Sequence, residues 1–267
     1  MKKFVIRCDI EGVTGVTSYD QADPGKALYP LGKRMLENDL AAVCRGLNEG
    51  GADEILVYDE HFDGRNVDPE VLPENAAVIC GKPPYTPENP GGLDASCTGL
   101  ILVGFHSKAG TGKLLAHSYE PDILDIRING ISVGEIGVEA AVAGDFGVPL
   151  ALVTGDSAGI EEAETLVPGV FGVAVKDSLG PLAGCCRPAA VTAKAIAETA
   201  RKLAEQGAAA KPWKVDSPVF EITLADTPYG RRYQEMFGPC RIAGKTASEC
   251  WSIYWNRKLE VFGSLEK

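Results

Sequence analysis

The chain has 267 residues, 45% of them hydrophobic and 24% charged, a balance that supports a packed core and excludes a disordered polyelectrolyte. Its formal net charge of −11 repels a phosphate backbone, and no Lys/Arg stripe offsets it, so nucleic acid is excluded as an expected partner. At this length one large domain, or a larger and a smaller one, is expected.

Residues 3–10 open the chain with KFVIRCDI, a short apolar run broken by Arg7 and Asp9 before a signal-peptide core develops. No stretch reaches the roughly 18 apolar residues of a membrane span, so a cytoplasmic location without a membrane partner is expected. Leu36, Leu40, Val43 and Leu47 then recur at helical spacing until Gly50-Gly51, and a strand follows at 54–58. Together these form a βαβ unit. Further Val/Ile/Leu-rich runs at 76–80, 99–104, 149–154 and 170–175 predict buried strands of a largely parallel sheet, with helices over about 134–145 and 158–166. Asn129-Gly130 between alternating hydrophobics predicts a tight hairpin, because both residues tolerate positive φ. Beyond Cys186-Arg187-Pro188 the chain changes to a long Ala-rich helix, a linker-like stretch at 208–218, a strand (VFEITLAD) and two helical segments. The last carries Trp251, Tyr254, Trp255, Leu259 and Phe262, which are assigned to the core.

This alternation predicts an α/β fold, three-layer α/β/α with a largely parallel sheet plus a smaller C-terminal α+β part. The division falls near residue 188. Residues 1–187 form the α/β unit, and 188–267 a smaller unit packed on it, a candidate oligomerisation element. Eight cysteines, Cys8, Cys44, Cys80, Cys97, Cys185, Cys186, Cys240 and Cys250, show no C-x-x-C spacing and are expected mostly as reduced core residues, with the vicinal Cys185-Cys186 pair in a tight loop.

The chain has three histidines. His61 and His106 each fall just past the carboxyl end of a predicted strand, where ligands gather in open α/β sheets; His117 follows eleven residues after His106. The first strand ends in Asp9-Ile10-Glu11, two carboxylates at i and i+2 projecting to one side of an extended backbone. Imidazoles and carboxylates converging on one sheet edge suit zinc or a similar divalent cation. A carboxylate shared between two such ions would serve hydrolysis, activating water and polarising a carbonyl together. Asp59 and Glu60 compete as ligands or as partners that orient His61. Asp156 is expected to cap the helix that follows it. Spacing leaves Glu135 open between a ligand and a first-turn acid favoured by the helix dipole. AGTGK at 109–113 imitates a phosphate loop, but Ser107 and Leu114 break that pattern, and no dinucleotide fingerprint or nucleophile elbow occurs.

The ordered set Asp9-x-Glu11-Gly-Val-x-Gly15, His61 after its strand, Gly104-Phe105-His106, His117-Ser118 and Asn129 to Gly134-Glu135 resembles the DppA-type zinc-dependent D-aminopeptidases, peptidase family M55, over nearly the whole chain. Cys8 departs from the small or hydroxyl residue expected before the first Asp. The resemblance implies a binuclear zinc site, two Zn2+ per chain. In it Asp9 bridges, Glu11 and His61 complete one ion, and His106 and Glu135 complete the other. It implies that His117 is catalytic as nucleophile or general base, that short peptides lose N-terminal D-amino acids, and that the chain forms a homodecamer. Two rival readings are a peptide-binding, transport-associated protein without turnover, and a hydrolase acting on another amide or on a phosphoester, for which Arg65, Lys108 and Lys113 are the nearby cations.

Overall fold

A computed structural model describes residues 1–265. In chain order the strands are β1 (Lys3–Cys8), β2 (Glu54–Asp59), β3 (Ala76–Ile79), β4 (Gly99–Phe105), β5 (Ile123–Ile128), β6 (Ile131–Val133), β7 (Leu150–Asp156), β8 (Phe171–Gly180), β9 (Ala183–Cys186), β10 (Val219–Leu224) and β11 (Arg241–Ala243). The helices are α1 (Tyr19–Ala22), α2 (Tyr29–Glu49), α3 (Glu135–Asp145), α4 (Ser157–Leu166), α5 (Ala189–Gln206), α6 (Pro228–Phe237) and α7 (Ala247–Leu265).

A seven-stranded sheet in the order β3-β2-β1-β4-β7-β8-β9 forms the centre. It is parallel throughout except for β9, which returns antiparallel to β8. Period-two alternation splits each central strand between two cores. Phe4 and Ile6 of β1 join Ile101 and Val103 of β4 against Leu36, Leu40, Val43 and Leu47 of α2 and Ile196, Ala200 and Leu203 of α5. Val5, Leu100 and Leu102 face the other way, onto Val138, Ala141 and Val142 of α3 and, beyond them, Trp251 and Tyr254 of α7. Each face is covered by helices, which is what a parallel sheet requires.

The second sheet is antiparallel, β11-β10-β5-β6. Its β5-β6 hairpin turns at Asn129 and Gly130, both at positive φ, as a two-residue primed turn demands. The pairing crosses the division expected at residue 188. The earlier part of the chain supplies two strands of this sheet, and α5 packs against α2 in the main layer. The sequence pattern predicted β5, β6 and β10 but not β11, and not that β10 pairs with β5, because antiparallel partners can come from any distance along the chain.

Two further expectations are corrected. Cys185 and Cys186 lie exposed on edge strand β9, not in a tight loop, because β8 runs on to Gly180 and reverses into its own hairpin. Of the other cysteines, Cys8, Cys44, Cys97 and Cys250 are buried as expected, whereas Cys240 is half-buried and Cys80 exposed. In α7, Trp251 and Tyr254 are buried but Leu259 and Phe262 are exposed. No helix among the described residues is long and apolar enough to cross a membrane.

Two glycines let β1 and β4 approach closely at their carboxyl ends. Gly104 has φ +76°, and a Cβ there would stand 2.2 Å from the Asp9 carbonyl oxygen; one on Gly12 would stand 2.0 Å from that of Phe105. Gly104→Ala is therefore expected to lower unfolding free energy by at least ~2 kcal/mol from strain and backbone displacement. Gly147→Ala, at φ +71° with open space around it, is expected to cost about half as much. Urea denaturation of the two variants checks the order.

Candidate metal centre

The parallel register carries three strand ends to one edge. Beyond β1 the ladder continues for a residue, with Asp9 N donating to Val103 O (2.9 Å) and Glu60 N to Cys8 O (3.0 Å). The following turn carries Glu11. It is held from below by the buried Lys176, whose ammonium donates to the carbonyls of Glu11 (2.5 Å), Val13 (2.9 Å) and Val16 (2.5 Å). His61 follows β2 in a loop braced by Asp59. The Asp59 carboxylate accepts from the backbone and side-chain amides of Asn66, and Asn66 also donates to the His61 carbonyl (2.7 Å). Asp59 thus braces the loop that carries His61 and lies outside the compact donor sets. Asp156 caps α4, accepting from the amides of Ala158 and Gly159, and its other oxygen accepts from Ser107 N, which fixes the loop after His106. Glu135 is the first residue of α3.

All six expected residues meet. Asp9, Glu11, His61, His106 and Glu135 are buried, and His117 is partly exposed. His61 Nδ1 lies 2.7 Å from Asp9 Oδ1 and 3.2 Å from Glu11 Oε2; His106 Nε2 lies 3.3 Å from Asp9 Oδ2 and 3.4 Å from Glu135 Oε1. His117 stacks on His106, ring centroids 4.1 Å apart and 9° from parallel, with Nε2 4.0 Å from Glu135 Oε1. Two compact donor sets result, Asp9/Glu11/His61 and His106/His117/Glu135. Asp9 touches both.

The outer nitrogen of each imidazole meets a main-chain carbonyl. His61 Nε2 is 2.7 Å from Ala22 O, His106 Nδ1 3.0 Å from Ser107 O, and His117 Nδ1 2.9 Å from Leu115 O. Donation there fixes the tautomer and turns a lone pair inward at each ring, the arrangement a metal-binding imidazole needs. Glu11 Oε2 and His106 Nε2 are buried without a hydrogen-bond partner among the described residues, a cost that a cation in this ring removes. Burial alone would strip the charge from His61 and His106, yet the carboxylates of Glu11, Glu135 and Asp9 outweigh it and hold both pKa values well above the usual imidazole range. The ring therefore has a strong appetite for positive charge. Its nitrogen and oxygen donors, without thiolate, fit a borderline divalent ion.

Comparison with known proteins agrees with this geometry. Residues 1–253 match the family Peptidase M55, D-aminopeptidase. The chain belongs to this family. It is 31% identical over 232 residues to a D-aminopeptidase of Bacillus subtilis strain 168, covering 86% of this chain and 83% of the relative. It also superposes with a TM-score of 0.89, at 27% identity over 97% of this chain and 98% of the other, on a solved structure described as the Zn-dependent D-aminopeptidase DppA from Bacillus subtilis, a self-compartmentalizing protease. As a member of the D-aminopeptidase family the chain is a hydrolase of the metallo-aminopeptidase class.

The donor ring opens into a cavity of about 870 Å³. Tyr19, Phe62 and His117 stand among its lining residues with Tyr85, Tyr119, Trp251, Trp255, Lys82 and Lys258. The aromatic stripe of α7 is thus partly a cavity wall: Trp251 packs inward and also borders the cavity, and Trp255 faces it. Arg65 pairs with Asp63, Lys108 donates to Ser132, and Lys113 is exposed; none of the three lines the cavity, so the cations considered for a phosphoester are elsewhere.

Arg7, which interrupts the first apolar run, was the signal of a buried network that the sequence left unassigned. Its guanidinium is fully buried and pairs with Glu139 and with Glu60 (2.9 Å), and it donates to Pro90 O (2.5 Å). Glu139 also accepts from the Tyr119 hydroxyl (3.1 Å), and the Tyr119 amide donates to Glu135 Oε1 (2.6 Å), so the network reaches a donor of the ring through one residue. Burial raises the Glu139 pKa from 4.5 to about 7 although Arg7 works against it. The folded protein therefore keeps a proton that the unfolded chain releases between those values. The stability this group contributes is full below pH 4.5 and is lost as pH rises toward 7. Glu139→Gln is expected to flatten the slope of unfolding free energy against pH between 4.5 and 7, measured by denaturant titration.

Proposed function

We propose that the protein is a zinc aminopeptidase with two cations per chain, which removes the N-terminal residue of short peptides and prefers that residue in the D configuration. The observation that carries the reading is the Asp9 carboxylate, one oxygen 2.7 Å from His61 and the other 3.3 Å from His106. That arrangement supports a group shared by two ions. Asp9 would bridge, Glu11 and His61 would complete one site, and His106 and Glu135 the other. Divalent ions held by these residues would supply Lewis acidity toward a peptide carbonyl and make water a stronger nucleophile at neutral pH.

The protein's own groups do the rest. His117 is the most exposed of the three imidazoles, with its Leu115-facing nitrogen committed and Nε2 free. It is placed to take a proton from the attacking group and return it to the leaving amine. The Tyr119 amide holds Glu135 Oε1 in place at 2.6 Å, so this donor stays oriented toward the ring. The cavity beside the ring has room for a short peptide. We further propose, following the self-compartmentalizing relative, that the chain assembles into a closed homodecamer, and that it works in the cytoplasm.

Elemental analysis of the purified protein should find about two zinc ions per chain, and chelation should abolish release of D-Ala from D-alanyl peptides while L-alanyl counterparts are cleaved more slowly. His117→Ala should keep both ions and lower kcat by roughly 10²-fold or more. Because His117 also stands within the second donor set, loss of one ion in that variant would make it a ligand and remove the proton-transfer role.

A further inference from the structure

A peptide cut beside the donor ring has two ends to place. The ring and His117 serve the scissile bond, so the cavity must also receive the portion that leaves. One wall of the cavity runs from Tyr119 onto α7. Tyr119, whose amide holds Glu135, lies with its ring 4.5 Å from Trp251. Trp255 follows one helical turn along α7, about 6 Å of axial rise, and the Lys258 ammonium lies 4.1 Å from the Trp255 ring centroid and 5.8 Å from that of Phe262. All four wall residues, Tyr119, Trp251, Trp255 and Lys258, line the same cavity as Asp9, Glu11 and His61.

Lys258 is a buried cation at the Trp255 side of this wall, its side chain 8% exposed. Among the described residues its hydrogen-bond acceptor is the Glu120 carboxylate, which also lines the cavity. An ammonium has three donors. Aromatic faces attract its charge without accepting in the manner of an oxygen lone pair, so Lys258 keeps donors for a second carboxylate. Lys82, the other lysine of the lining, is differently committed: its ammonium lies against the carbonyls of Asp59 and Glu60 and the Glu60 carboxylate, three acceptors for three donors.

The geometry points to Lys258 as the anchor for the C-terminal carboxylate of the substrate, with Tyr119, Trp251 and Trp255 as the apolar floor beneath a leaving portion of one or two residues. Trp251 and Lys258 are two helical turns apart, ~10.5 Å along α7, but the ammonium lies over the Trp255 ring, one turn or ~6 Å beyond Trp251, a length that one or two extended residues at ~3.5 Å each span. The substrate class is then the free di- or tripeptide acid; internal peptide bonds of long chains are disfavoured because their leaving portion overruns the wall. Glu120 competes with the substrate for the same ammonium. This inference rests on the aminopeptidase reading for the position of the scissile bond.

The test compares a D-alanyl dipeptide as free acid and as C-terminal amide, by kcat/KM on the zinc-loaded enzyme and by calorimetric Kd of the corresponding reduced-bond, uncleavable analogues. Wild type is expected to favour the acid about tenfold, the size of one charge-assisted hydrogen bond. Lys258→Met should bring the acid-to-amide ratio near one, and Glu120→Gln should raise it above the wild-type value by freeing the ammonium. A merely structural Lys258–Glu120 pair would lower both substrates together in both variants and leave the ratio unmoved, which would overturn the assignment, as would equal treatment of acid and amide by wild type. If no peptide is cleaved, the aminopeptidase reading fails, while the Kd ratio of the analogues still decides the carboxylate subsite.

Discussion

The Asp9 carboxylate between two imidazoles is the contact around which the molecule is arranged. Its oxygens reach His61 on one side and His106 on the other, and that is possible only because β1 lies between β2 and β4 in parallel register. Parallel strands end together, so three turns that are far apart in sequence open onto one edge. Two glycines without Cβ atoms, Gly12 and Gly104, let the β1 and β4 ends close to backbone contact. A single inserted residue in β1 would reverse the face to which Asp9 projects, and the ring would lose the carboxylate that reaches both imidazoles.

Concentrating carboxylates at a buried edge is costly, and the surroundings show how the cost is met. Each inward imidazole is fixed by a carbonyl behind it. The turn carrying Glu11 is tied through its main chain to Lys176, whose own pKa burial lowers to about 8. Further out, Arg7 stands between Glu60 and Glu139. Removing one member of such a buried set leaves an uncompensated charge, which is more damaging than the set as a whole is stabilising. These groups therefore hold the geometry of the ring more than they add to its folding energy.

Much of this was legible in the sequence because chemistry-bearing residues are scarce and sit at predictable places. Two histidines and a D-x-E pair at strand ends, with a third histidine eleven residues on, needed no structure to be noticed, although Glu11 was expected on extended backbone and lies in a turn; the helix cap at Asp156 follows from its position before α4. Glu135 was different. Its spacing was equally compatible with a dipole-favoured acid, and the family resemblance tipped it before the structure brought its carboxylate within 3.4 Å of His106. What escaped was pairing at a distance. Nothing local in VFEITLAD says that β10 pairs with β5 some ninety residues earlier. Nor does helical periodicity tell a tryptophan that faces a core from one that faces a cavity, so Trp255 was misplaced. Arg7 was noticed only as an interruption. A charge inside an apolar strand run announces a buried partner, but Glu139 is found only when α3 packs on the central sheet beside Arg7.

Two layers of the site are drawn from different parts of the chain. The donors of the ring come from β-strand ends and the start of α3, elements fixed by the central sheet. Most of the aromatic wall and its lysine come from α7, which packs on α3 and on the second sheet. Side chains on α7 can change without disturbing the sheet that sets the ring, so the length and terminal group of the accepted peptide are physically separable from the hydrolytic chemistry. The reverse does not hold: a shift of β1 against β4 moves Asp9 and with it every donor distance. Members of such a fold are therefore free to differ in what they cleave while keeping how they cleave it, and the helix that closes the cavity is where those differences are expected to accumulate.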